Sequence, residues 1–285
     1  MKKILTFILG MMVVASCDHL SKSSSDKEEE VNIADLEGIA FETEKLSYSY
    51  EEDKVEVSID VEYPKDGNPI LVNAIREYIS ETMGGTYDGD LEEGQQLVDY
   101  YGGFYKKELN DEKQVQIDEN DGNDEIINGF YRNYDFKKEY ETDHFITYLV
   151  NSSVYLNGAH GVESSYGMTF RKSDGRRFGT DMMRNLYSQD IYALIKKGLI
   201  DYFGQYSDES VTTDEDLKEY ILTDDDVNYL PLPKNVPYIT QEGFVFTYQP
   251  YEISFYAAGM PTFTVPVGKM KQFLTQTALK MLGED

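Results

Sequence analysis

Nine consecutive residues, Val55-Glu56-Val57-Ser58-Ile59-Asp60-Val61-Glu62-Tyr63, alternate apolar and polar side chains without a break. Successive side chains of a strand point to opposite faces, so this period of two specifies a strand with one face in a core and one in water. The rest of the chain mixes helical and strand patterns without regular βαβ alternation, and its connections read as hairpins. The expected fold class is therefore α+β, with antiparallel sheets and packed helices.

The remaining elements follow from period and punctuation. Asn68-Pro69 places an N-cap and a first-turn proline ahead of the stripe Leu71, Ala74, Ile75, Tyr78 and Ile79, and Gly84-Gly85 stops that helix. A second helix is expected over Leu91–Leu109, weakened by Gly102-Gly103. An acidic run, Asp118 to Glu125, departs from EF-hand spacing and reads as a solvated loop. Strands are expected over 131–140, 145–156 and 164–171; the turn signals Asn157-Gly158 and Asp174-Gly175 join them as a meander. A helix from Ser188 to Phe203, a short one opened by Thr212-Thr213-Asp214-Glu215, strands at 238–240, 244–248 and 262–265, and a last helix over Lys269–Leu282 complete the pattern. The two units of helix plus strands suggest two subdomains, 41–172 and 173–285.

The chain opens with Lys2-Lys3, a short apolar run from Ile4 to Val14, and Val14-Ala15-Ser16-Cys17. Basic start, apolar middle and small residues before a cleavage point are the parts of a secretory signal peptide, here residues 1–17. The apolar run falls well short of the roughly 20 residues that span a bilayer. The ending resembles the lipobox of bacterial lipoproteins, which implies acylation of Cys17 and attachment to a membrane of the cell envelope by lipid alone, expected at the outer membrane, facing the periplasm or the surface. Residues 18–40 follow as an acidic tether poor in apolar side chains.

Cleavage before Cys17 leaves 24 basic residues against 53 acidic ones, a formal charge of −29. Nucleic-acid binding needs Lys and Arg to neutralise phosphates, so this field argues against it. A cationic partner would be drawn in faster. Cys17 is the only cysteine, so acylation leaves no thiol for disulfides, thiolate catalysis or thiolate metal sites. The three histidines show no metal-ligand spacing, and G-x-S-x-G, P-loop and G-x-G-x-x-G motifs are absent from the sequence. No catalytic residue, cofactor or metal site is assigned.

One constellation stands apart. Asn157-Gly158-Ala159-His160-Gly161 sits at a hairpin, followed by Tyr166-Gly167-Met168-Thr169-Phe170 and Asp174-Gly175-Arg176-Arg177-Phe178; later come Gln249-Pro250-Tyr251-Glu252-Ile253 and Tyr256-Ala257-Ala258-Gly259. This order, over roughly Lys45 to Leu282, resembles the PdaC/RsiV-like extracellular domains, a bacterial envelope family often described only as of unknown function. The resemblance implies the extracellular module alone. The metal-dependent deacetylase domain and the membrane helix that accompany it elsewhere in that family have no counterpart here.

Four residues are singled out for site chemistry. His160 is either a ligand-contacting, proton-active imidazole or a turn residue whose ring bonds backbone and fixes the hairpin. Glu252 either pairs with Arg176 or Arg177 or faces a ligand. Tyr251 and Tyr256 are core or rim aromatics, or platforms for a sugar or a protein partner. The function expected is a lipid-anchored envelope module that binds or senses and does not catalyse. Its ligand is a cationic protein such as lysozyme, or peptidoglycan or another glycan. The alternatives are a glycan hydrolase using His160 and a nearby carboxylate, and an envelope spacer. A deep cleft with His160 and carboxylates converging would favour the hydrolase, and a broad acidic face would favour binding.

Overall fold

The computed structural model describes residues 39–206, 211–222 and 226–284. The expected signal peptide, Cys17 and nearly all of the tether lie outside the described residues. The fold class is α+β: the described residues form a five-stranded sheet and a three-stranded antiparallel sheet, with six α-helices.

The alternating segment forms β2 (Val55–Asp66), with Val55, Val57, Ile59, Val61 and Tyr63 buried. It is preceded by β1 (Glu42–Glu52), which pairs with it antiparallel across a two-residue turn in which Asp53 and Lys54 both have positive φ. Helix α1 (Pro69–Thr82) starts where Asn68 and Pro69 place it; Asn68 Oδ1 accepts from Ile70 N at 3.0 Å. Helix α2 (Gly94–Glu119) is longer than the expected 91–109 and runs into the acidic segment. Its awkward glycine has a packing cause: a Cβ on Gly102 would fall 2.3 Å from the Tyr48 ring of β1, so the ring seats directly on the helix backbone.

Three strands follow, β3 (Phe130–Glu141), β4 (Phe145–Leu156) and β5 (Val162–Arg171), paired antiparallel as a meander. The sheet order is β1-β2-β3-β4-β5, and here the expectation of purely antiparallel pairing needs correction: β2 and β3 run parallel. The two helices between them are the reason. A parallel pair requires a crossover long enough to return the chain to the same end, and α1 with α2 provides it. Both helices cover one face of the sheet, burying Leu71, Ile75, Ile79, Leu97, Val98 and Tyr101 against Val57, Ile59 and Val150.

The second core surrounds α3 (Gln189–Tyr206), whose Ile191, Ile195 and Leu199 are fully buried. Helix α4 (Asp214–Lys218) has a complete capping box, made by Thr213 with Asp216, one residue later than the sequence pattern suggested. Strands β6 (Tyr238–Ile239), β7 (Phe244–Thr247) and β8 (Thr262–Val265) form the small sheet. The expected final helix is broken into α5 (Val267–Met270), a 3₁₀ turn over 271–273 and α6 (Gln276–Met281). Leu274 leaves helical geometry at the break to bridge Met183, and Thr275 N donates to Met182 O at 2.9 Å.

The two cores touch through β4, β5 and β6. Thr147 Oγ1 donates to Ile239 O at 2.7 Å, Ile239 N donates to Thr169 Oγ1 at 3.0 Å, and the Tyr238 ring lies where a Cβ on Gly167 would be. The small sheet thus covers one end of the outer face of the large sheet. The rest of that face is left open.

Candidate functional site

Pairing register builds the open face in ranks across the strands. Glu56, Tyr131 and Tyr155 stand side by side, then Ser58, Asn133, Ser153 and Glu163, then Asp60, Asp135, Asn151 and Ser165. These are the outward positions of strands whose alternate residues face the helices. Glu56, Ser58, Asp60, Asn133, Asn151 and Glu163 of these ranks line a groove of about 550 Å³, with Met260 from the loop before β8 also on its lining. That volume is within the range of small-ligand sites. Several of the polar groups hold one another: Ser165 donates to Asn151 Oδ1 at 2.7 Å, Asn133 Nδ2 to Ser153 Oγ at 3.3 Å, and Lys137 pairs with Asp135 at 2.6 Å. Asn133 Oδ1 is buried beneath the groove without a hydrogen-bond partner.

The β4–β5 hairpin stands at one end of this groove. Asn157 has positive φ, as its left-handed tolerance allows, and its side chain accepts from Asn128 N at 2.7 Å. Gly161 is required by a close approach: a Cβ there would lie 2.6 Å from the hydroxyl of Tyr131. Burial raises the Tyr131 phenol pKa, and Glu163, Tyr256, Tyr155 and Glu56 add to the shift, so this ring joins hairpin and groove electrostatically.

Three of the four singled-out side chains meet at the hairpin, although more than ninety residues separate the first from the last. His160 stacks on Tyr256 with centroids 3.9 Å apart and planes at 22°, and Tyr251 leans on both, at 6.3 Å from His160 and 5.7 Å from Tyr256. The hydrogen bonds define the imidazole. Nδ1 lies 2.8 Å from Gly161 O, and a carbonyl only accepts, so Nδ1 carries the proton; Nε2 is then free to accept from the Tyr251 hydroxyl at 3.3 Å. The second lone pair of Gly161 O accepts from Tyr256 at 2.8 Å.

Glu252 is elsewhere in purpose, and its expected pairing with Arg176 or Arg177 is overturned. Arg176 pairs with Asp181 at 2.6 Å and Arg177 with Glu81 at 2.7 Å. The Glu252 carboxylate instead accepts two backbone N–H groups, of Gln249 at 2.8 Å and of Lys234. It fixes the strap 249–253 that carries Tyr251. Gln249 secures the other side of the strap: its amide accepts from Ser165 N at 3.2 Å and donates to Ser165 O at 2.8 Å. Sequence reasoning reached the aromatic cluster but missed Gln249, Asn133 and the rest of the groove. Its available signal was the polar half of each alternation.

Residues 180–268 match DUF3298, a family described as protein of unknown function. Solved structures extend the likeness to most of the chain. A DUF3298 family member from Bacteroides fragilis is 20% identical, with a TM-score of 0.67, covering 87% of this chain and 99% of that one. A DUF3298 family protein from Pseudomonas aeruginosa is 13% identical, with a TM-score of 0.55, covering 83% of this chain and 95% of that one. These similarities are of fold. No curated protein matches the chain. Among the described residues, no helix is long and apolar enough to cross a membrane.

Proposed function

We propose that this chain is a binding or sensing module of the bacterial cell envelope, lipid-anchored through Cys17, PdaC/RsiV-like in kind and without catalysis of its own. One observation carries the reading: the large sheet turns an open, carboxylate-bearing face to solvent where an enzyme would enclose a cleft. The hydrolase alternative asks for His160 and a nearby carboxylate as an acid–base pair, whereas the His160 ring nitrogens meet Gly161 O and the Tyr251 hydroxyl.

The anchor is tested by Cys17→Ser, since acylation needs the thiol. The variant is expected to lose fatty-acid labelling and to partition into the soluble fraction; labelled, membrane-bound Cys17→Ser protein sinks the lipoprotein reading. The binding role is tested with lysozyme as the first cationic protein. Unlike charges speed encounter and salt screens them over about 10 Å at 0.1 M, so association is expected to slow markedly as salt rises while dissociation changes less. An on-rate indifferent to salt would leave the acidity a matter of solubility only.

A further inference from the structure

Tyr251 is held in a conformation its side chain does not favour. Its φ is +64°, in the left-handed region where a Cβ crowds the backbone and where Gly or Asn is the ordinary occupant. A bulky aromatic there is an outlier that the surroundings must impose. The strap imposes it, through the Gln249 amide on β5, the Glu252 carboxylate on two backbone N–H groups, and Ile253, which is buried. The ring leans on His160 and Tyr256 but stays 58% exposed, and its hydroxyl makes one long bond, to His160. Glycine would occupy this conformation without the Cβ strain. The side chain is explained by a contact made on its solvent side.

The surroundings state the chemistry of that contact. His160, Tyr256 and Tyr251 form an aromatic platform, and Tyr131 stands between it and the groove, where hydroxyl, amide and carboxylate acceptors stand at fixed spacing. A ligand with an apolar face and a rim of donors fits both parts. A pyranose ring has that form: its C–H face lies on an aromatic ring while its hydroxyls donate to amides and carboxylates. Glu56, Asp60 and Glu163 would repel carboxylated or phosphorylated sugars. We infer that Tyr251 is the stacking residue of an oligosaccharide site, running from the hairpin platform onto the open face and accepting uncharged or amine-bearing pyranosides. This deepens the binding reading and rests on it.

The experiment uses the full chain in a detergent without sugar headgroups, titrated calorimetrically with chitotetraose, its fully de-N-acetylated form and cellotetraose, each to about 1 mM. At least one is expected to bind. Tyr251→Gly is expected to weaken it by about tenfold or more while leaving the melting temperature unchanged or raised, because the backbone strain is removed. Tyr251→Asn, which also accepts positive φ, repeats the test should the glycine variant fold poorly. Tyr251→Phe, which keeps the ring, is expected to retain most of the affinity. Sugar affinity unchanged in Tyr251→Gly overturns the inference, as does the absence of binding to all three sugars. A lysine decapeptide run in parallel separates the two levels: decapeptide binding without sugar binding overturns the oligosaccharide site and leaves a binding module standing, while silence from decapeptide, sugars and lysozyme removes both.

Discussion

Gly243→Val is expected to destabilise the protein by about 3 kcal/mol or more, the sum of a disallowed backbone and an overpacked contact. Gly243 closes the β6–β7 hairpin, exchanging backbone bonds with Thr240 at 2.9 and 3.3 Å, and its φ of +141° is one that L side chains rarely adopt. A Cβ would also stand 2.3 Å from Val265 O and 2.9 Å from Pro266 Cα, which are backbone atoms and cannot swing aside. Relief requires β8 to retreat from β7. That would withdraw Phe263, whose ring packs where a Cβ on Gly198 of α3 would be and stacks on Phe246 at 5.6 Å. Thermal unfolding should show a large loss for Gly243→Val. Gly103→Ala, in a helix with open space at its Cβ position, should be neutral or gain up to about 1 kcal/mol. Equal melting temperatures for Gly243→Val and the parent would refute the backbone argument.

The second large effect is expected from the loss of a single oxygen. The hydroxyl of fully buried Tyr101 accepts from Thr86 N at 3.0 Å and Tyr87 N at 3.2 Å, donates to Ser80 O at 3.1 Å, and lies 3.0 Å from Ser80 Oγ. It ties the end of α1, the loop that follows and the body of α2 to one point. Tyr101→Phe keeps the ring, removes the partner of the buried Ser80 hydroxyl, and releases the part-buried N–H groups of Thr86 and Tyr87. Since each buried unsatisfied group costs about 1–3 kcal/mol, a loss of about 2–3 kcal/mol is expected. In a denaturant titration the midpoint should fall with its slope unchanged. Tyr105→Phe removes one bond, to Met83 O, and serves as the comparison.

What the sequence disclosed, it disclosed through local rules. Alternation over 55–63 specified β2 and, in the same stroke, which of its side chains would face water. Asn68-Pro69 marked the start of α1, and Asn157-Gly158 marked the hairpin. Strand β1 escaped notice because it lies at the sheet edge and is half-exposed along its length, so only Leu46, Tyr48 and Tyr50 betray an inward face. The parallel β2–β3 pair was hidden because two helices, not one, separate its strands, so no regular βαβ alternation marks the crossover. The candidate site was legible only in pieces. His160, Tyr251 and Tyr256 could be picked out by resemblance, but no spacing rule joins residues on a hairpin and a distant strap. The ranks of the groove depend on register across four strands, and one strand cannot announce its neighbour's register.

A side-chain amide that both receives from and gives to the same strand residue has the hydrogen-bonding pattern of a peptide group. Gln249 therefore stands in for one unit of a sixth strand along β5. An unpaired strand edge is a template on which any extended chain can add itself, and at Ser165 this template is already occupied from within. The opposite edge, β1, is guarded differently, by Glu42, Glu44, Lys45, Glu51 and Glu52. At high local density, such chains would keep their sheets from zipping into one another. Loss of the Gln249 amide would be felt first in that resistance to aggregation, before any change in the fold.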